Sequence, residues 1–142
     1  MIAHSEWKHG GIFESFSESG NTITFDTDTH TEGPTPVEAV LMALCACTSV
    51  DVVSILQKKR QTLTGLRVSA TANRAEDYPK IFTTIHLTYT IRGQVERKAA
   101  EDAVSLSKSK YCSVSLMLEG KATIDYEIVL EDERLEDGTT AE

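Results

Sequence analysis

Between Val37 and Gln57 the chain carries two charged residues, Glu38 and Asp51, in a run of valine, alanine, leucine, methionine and cysteine. A helix that is apolar on all its faces cannot lie on a protein surface, so this segment is expected as a buried central helix. Its start is marked by Thr35 before Pro36: threonine caps, proline suits the first helical position, and Glu38 completes a capping box. Its end is marked by Lys58, Lys59 and Arg60, cations that complement the negative end of the helix dipole. A chain of 142 residues, 40% of them hydrophobic, suffices for one domain with a real core. One small domain could hardly surround a helix of this length, so a second subunit is expected to cover it.

The remaining composition narrows the classes. No apolar run is read as reaching the ~18–20 residues of a bilayer span. Met1 to Lys8 has neither a basic segment nor an apolar one, so no secretory signal is read and a cytoplasmic location without membrane contact is expected. The net charge of −8 disfavours nucleic acid as a partner, because phosphate repels such a surface. Much of that excess sits in residues 131–142, where Glu131, Asp132, Glu133, Glu136, Asp137 and Glu142 face Arg134 alone. Residues 1–130 are therefore read as a single domain and 131–142 as an acidic, mobile tail.

Around the helix the pattern has period two. Ile12–Ser17 and Thr22–Asp26 read as a hairpin across Ser19-Gly20-Asn21, with a shorter strand near Ala3–Lys8 turning at Gly10-Gly11. Leu66–Ala72 and Ile81–Arg92 alternate as strands, Gly93 breaks the pattern, and Ala122–Leu130 alternates as a last strand. Val95–Lys110 has helical spacing, and Cys112–Leu118 reads as one or two further helical turns. The order β-β-β-α-β-β-α-β is an α+β plan with helices on an antiparallel sheet.

Three cysteines without a signal segment do not suggest a disulfide framework, which leaves thiol chemistry or plain burial. Cys45 and Cys47 project ~200° apart on a helix and cannot both face one site, which weakens a metal reading. His4, His9, His30 and His86 are scattered without ligand spacing, so no metal is expected. Cys47 has Asp51 one turn on, with Ser54 near the same face. A carboxylate there would raise a thiol's pKa, so Asp51 is expected to pair with a cation of another element. Cys112 follows Lys108, Lys110 and Tyr111. Taken alone, Cys45 and Cys47 read more readily as small core residues than as reactive thiols, and Cys112 is readable as packing too. Trp7 and Tyr89 read as core or interface residues, and Arg92, Arg97 and Lys98 as a solvated face.

The stretch from Gly33-Pro34-Thr35-Pro36 through Cys45-Ala46-Cys47-Thr48 to Asp51-Val52-Val53 resembles the central helix of the OsmC/Ohr family. Lys110-Tyr111-Cys112-Ser113-Val114 resembles its second cysteine motif, sixty-five residues after Cys47. The resemblance implies an OsmC-like fold and an intertwined homodimer whose sites draw on both subunits. It implies a thiol peroxidase for organic hydroperoxides, and for hydrogen peroxide in some members. Cys47 matches the peroxidatic thiolate and Cys112 the resolving thiol; an external dithiol reduces their disulfide, and no bound cofactor or metal is needed. Cys45 has no counterpart and is read as core.

Two features depart from that family's peroxidases. They carry Glu directly after the helix-starting Pro, where this chain has Val37 and places Glu38 ~100° further round. They also stabilise the thiolate with an Arg from the N-terminal region, whereas here no Arg precedes Arg60 and Lys8 is the cation on offer. Three functions are weighed on this basis: a hydroperoxide reductase, a non-catalytic dimer holding a small apolar or thiol-reactive ligand at its interface, and a disulfide-forming redox sensor without turnover.

Overall fold

Period-two alternation builds two separate three-stranded sheets, ordered β1-β2-β3 and β4-β5-β6. The computed structural model describes residues 1–132. Its elements are β1 (Ala3–His9), β2 (Ile12–Ser17), β3 (Thr22–Asp26), α1 (Pro36–Lys58), β4 (Thr62–Arg74), β5 (Phe82–Gln94), α2 (Arg97–Leu106), a π-helical turn (Ser107–Tyr111), α3 (Ser113–Leu118) and β6 (Thr123–Glu131). They divide into two compact units, Met1–Met42 and the chain from Ala43 onward.

The first unit is an antiparallel meander, with Trp7 opposite Phe13 and Phe13 opposite Phe25. Trp7 is not core in the single chain: it is 68% exposed, and its indole N–H donates to Gly10 O at 2.9 Å. After β3 the backbone folds around the buried carboxylate of Asp26, which accepts from the amides of Asp28, Thr29, Thr31 and Glu32 and from the Thr29 hydroxyl. Gly33 is required there, because a Cβ would lie 1.9 Å from Thr24 O. The capping box forms as the sequence implies: the Glu38 amide donates to Thr35 Oγ1 at 3.2 Å, and the Thr35 amide donates to Glu38 Oε2 at 2.8 Å.

In the second unit β5 is the central strand, with Phe82, Ile85, Leu87, Tyr89 and Ile91 buried. β4 pairs with it antiparallel, but β6 pairs parallel, with Thr84 opposite Thr123 and Arg92 opposite Glu131. The sheet is therefore mixed where a wholly antiparallel one is expected from sequence. The helical segment between β5 and β6 is a crossover that returns the chain to the end of the sheet where β5 began. Gly93 does not end β5. At φ +119° it sits opposite a register shift between Leu63 and Gly65, where a Cβ would come within 2.1 Å of Thr62 O, and the strand continues to Gln94. β6 likewise runs on to Glu131, which pairs with Arg92 at 2.6 Å, so residue 131 belongs to the sheet. The expected mobile tail otherwise lies outside the described residues from Glu133 onward.

α1 is buried along one stripe, Leu44, Thr48, Val52 and Leu56, at spacing i, i+4. Met42 and Val50 stand 58% and 69% exposed, so one chain covers one face of a helix that is apolar nearly all round. By length and composition α1 also meets the criterion for a membrane span, with an 18-residue window of mean hydropathy 2.2, which overturns the expectation that no run is long enough. Core helices of soluble proteins meet the same criterion. α2 presents the small residues Ala99, Ala100, Ala103 and Val104 inward. The expected single helix through Lys110 instead stops at Leu106 and widens into the π turn, whose closing bond runs from the Cys112 amide to Ser107 O at 2.8 Å.

Candidate active site

Four elements of the second unit meet around two of the three thiols. α1 supplies Cys47, Thr48 and Asp51, β5 supplies Tyr89, the π turn supplies Ser107, and Cys112 stands at the N-cap of α3. Cys47 is half-buried and Cys112 fully buried, and Cys47 lies near enough to Cys112 to push its thiol up. Cys45 is half-buried, and burial pushes its thiol up. Cys47, not Cys45, acts on the Cys112 thiol, while Cys45 and Cys112 both act on Tyr89.

Burial is the leading cause that pushes the Cys112 thiol up to about 11. The amide of Ser115 donates to its sulfur at 3.4 Å and acts the other way, while Cys47 and the charge of Asp51 raise it further. Ser115 Oγ, also buried, has no hydrogen-bond partner among the described residues.

Beneath the thiols runs a chain of hydroxyls. Tyr89 OH and Thr48 Oγ1 share a bond of 2.7 Å, Thr48 Oγ1 and Ser107 Oγ one of 2.8 Å, and Ser107 Oγ donates to Asp51 Oδ2 at 2.8 Å. A carboxylate can only accept, so Ser107's proton points to Asp51, Thr48 donates to Ser107, and Tyr89 donates to Thr48. Burial first of all pushes the Tyr89 phenol up to about 12, which keeps it a donor. Asp51 thus takes a serine hydroxyl where a cation is expected from sequence. A half-buried acceptor is satisfied by a neutral donor as well as by a charged one.

Asp51 also opens onto a cavity of about 340 Å³ lined by Ser54, Ile55, Lys58, Lys59, Leu106 and Tyr111. Lys59 is tied to Asp102 at 3.4 Å. Lys8, the N-terminal cation, is held in its own sheet by Glu6 at 3.0 Å and Glu14 at 3.3 Å. Among the described residues no group of three or more His, Cys, Asp or Glu side chains is arranged to hold a metal ion. Thr48, Tyr89 and Ser107 escape sequence reasoning as site residues. The available signal was the polar Thr48 on the same α1 stripe as Leu44 and Val52, which demands a buried partner.

Comparison with known proteins places this geometry in context. Residues 28–127 match the family described as OsmC-like protein. Protein YhfA of Escherichia coli K12 is 43% identical over 132 residues, covering 91% of this chain and 98% of its own. The crystal structure of a hypothetical protein from Aquifex aeolicus VF5 is 35% identical with a TM-score of 0.79, covering 92% of this chain and 96% of its own. An organic hydroperoxide resistance protein from Elizabethkingia anophelis shares the fold, with a TM-score of 0.68 at 15% identity over 91% of this chain and 94% of its own.

Proposed function

The chain belongs to the OsmC-like family, and from that premise we propose that it is a thiol-dependent peroxidase reducing organic hydroperoxides through Cys47 and Cys112. The observation that carries this reading is that two cysteines sixty-five residues apart in sequence, one half-buried and one fully buried, lie near enough for one to shift the other's thiol. Hydroperoxide-resistance proteins among its structural relatives supply the chemistry by likeness of fold.

The Cys47 thiolate attacks the outer peroxide oxygen, the O–O bond breaks, and the departing alkoxide takes a proton to leave as an alcohol. Cys47 becomes a sulfenic acid. The Cys112 thiolate then attacks the Cys47 sulfur, an S–S bond forms, and hydroxide leaves as water once protonated. A small external dithiol reduces the disulfide by two exchange steps. No step calls for a metal or bound cofactor, and the cycle suits a reducing compartment such as the cytoplasm. The apolar face of α1 left uncovered at Val50 and Met42 fits a homodimer with a second copy.

A second reading has two observations in its favour. A resolving thiol pushed up to about 11 is almost wholly protonated at neutral pH, and a cavity of about 340 Å³ adjoins the site. Both suit a non-catalytic dimer that holds a small apolar or thiol-reactive ligand. Consumption of tert-butyl hydroperoxide by the pure protein with excess dithiol decides between them. The peroxidase reading requires turnover that Cys47→Ser abolishes while the fold is kept. No turnover above that variant, with both thiols still free, leaves the ligand-binding reading.

A further inference from the structure

Ser107 is the one described residue that ties the backbone of Cys112 to the helix carrying Cys47. It is fully buried. Its hydroxyl is bound from α1 twice, by Thr48 at 2.8 Å and Asp51 at 2.8 Å. Its carbonyl accepts the Cys112 amide at 2.8 Å across the π turn. Thr48 directly follows Cys47 in the chain. Two hydrogen bonds in series therefore connect the backbone beside one sulfur to the backbone of the other, and the outer end is pinned by Tyr89 on the central strand. The π turn inserts one residue relative to an α-helical continuation, which rotates Cys112 by roughly a quarter-turn or more.

We propose that Ser107 is the positioning residue of the thiol pair, holding Cys112 where it closes a disulfide with Cys47. The role deepens the peroxidase reading and rests on it for its biological use; the positioning itself can be measured without any peroxide. A thiol held at one place relative to its partner has a high effective concentration toward it, and loosening the tether lowers that concentration. The Thr48–Ser107 bond is buried and the Ser107–Asp51 bond half-buried, so removing the serine hydroxyl leaves Thr48 held by Tyr89 alone and takes from Asp51 its serine donor.

The test equilibrates the full-length protein with a defined mixture of reduced and oxidised glutathione. Cys47 attacks glutathione disulfide and releases one glutathione thiolate; Cys112 then attacks the Cys47 sulfur and releases the second. One disulfide is reduced, one is formed, and two protons pass to solvent or to the released thiolates. Alkylation and peptide mapping give the Cys47–Cys112 fraction, hence the equilibrium constant. Ser107→Ala and the near-isosteric Thr48→Val should each lower that constant about tenfold, the scale of one buried hydrogen bond. Ser107→Thr, which keeps the hydroxyl, should recover most of it. Melting temperatures of reduced and oxidised forms accompany each variant. A merely structural serine would lower both equally and leave the constant unmoved, and a constant within twofold of wild type in both Ser107→Ala and Thr48→Val would overturn the proposal. A wild-type protein that forms no such disulfide would overturn it too. If the constant depends on Ser107 while no hydroperoxide is consumed, the positioning stands and the peroxidase reading falls.

Discussion

The amide of Ser115 donates to the sulfur of Cys112 at 3.4 Å, so the six-residue helix α3 starts on a thiol. That thiol is buried and pushed up to about 11, and the Tyr89 phenol nearby is pushed up to about 12. In the unfolded chain the two groups ionise near their ordinary values of about 8.5 and 10. Between those values and the folded ones the native state holds more protons than the unfolded state, so stability falls as pH rises. The contribution is complete below about pH 8.5 and is lost through the pH 9–12 range. Urea midpoints measured from pH 7 to 11 should show this decline. Cys112→Ala should flatten its lower part and Tyr89→Phe its upper part. A Cys112→Ala protein that declines as steeply as wild type between pH 8.5 and 10 would contradict the assignment.

The uncovered face of α1 makes a prediction about assembly. Val50 is 69% exposed on a helix whose opposite stripe is wholly buried. In the proposed homodimer a glutamate there would be buried without a partner, which costs several kcal/mol. Val50→Glu should therefore shift the protein to monomer at micromolar concentration by light scattering. A wild-type protein that is itself monomeric at high concentration would remove the dimer.

Some of this was legible beforehand, for identifiable reasons. Thr35, Pro36 and Glu38 announce the start of α1 because capping is local chemistry, complete within four residues. The split between Cys45 and Cys47 follows from helical pitch alone. The π turn was illegible because Ser107-Lys108-Ser109-Lys110 has the polarity of any outer helix face, and the hydroxyl and carboxylate that Ser107 meets lie 59 and 56 residues earlier in the chain. Gly93 looked like a stop because a glycine that ends a strand and one that permits a bulge have the same sequence signature. Parallel pairing of β6 depends on where the crossover delivers the chain, which alternation within the strand does not encode.

The buried stripe of α1 sets the stability of the second unit. Leu44 and Leu56 are both fully buried. Leu44→Ala should cost about 2–5 kcal/mol, transfer loss plus an unfilled cavity. Val50→Ala on the exposed side should cost far less in the monomer. Denaturant titration of both variants at a concentration where the protein is monomeric separates them, and equal losses there would mean the stripe has been assigned to the wrong face.

Asp26 predicts an acid sensitivity that belongs to the first unit alone. Its carboxylate is held well below the usual range, chiefly by the Thr29 hydroxyl at 2.6 Å and then by the amides of Thr29, Asp28 and Glu32, while burial acts the other way. A depressed folded value means that the stability it supplies is present above the ordinary carboxylate value of about 3.9 and is lost as pH falls below it. Asp26→Asn keeps the size but replaces one accepting oxygen with a donor that faces amide N–H groups. The loop from Thr27 to Glu32 should then open, lowering the melting temperature by several degrees at pH 7 and admitting protease cleavage within those residues. At pH 3 the gap between wild type and variant should narrow without closing, because the wild-type carboxylate is beginning to lose its advantage while the asparagine has none to lose. A variant whose deficit is as large at pH 3 as at pH 7 would show that Asp26 acts through packing rather than through its charge.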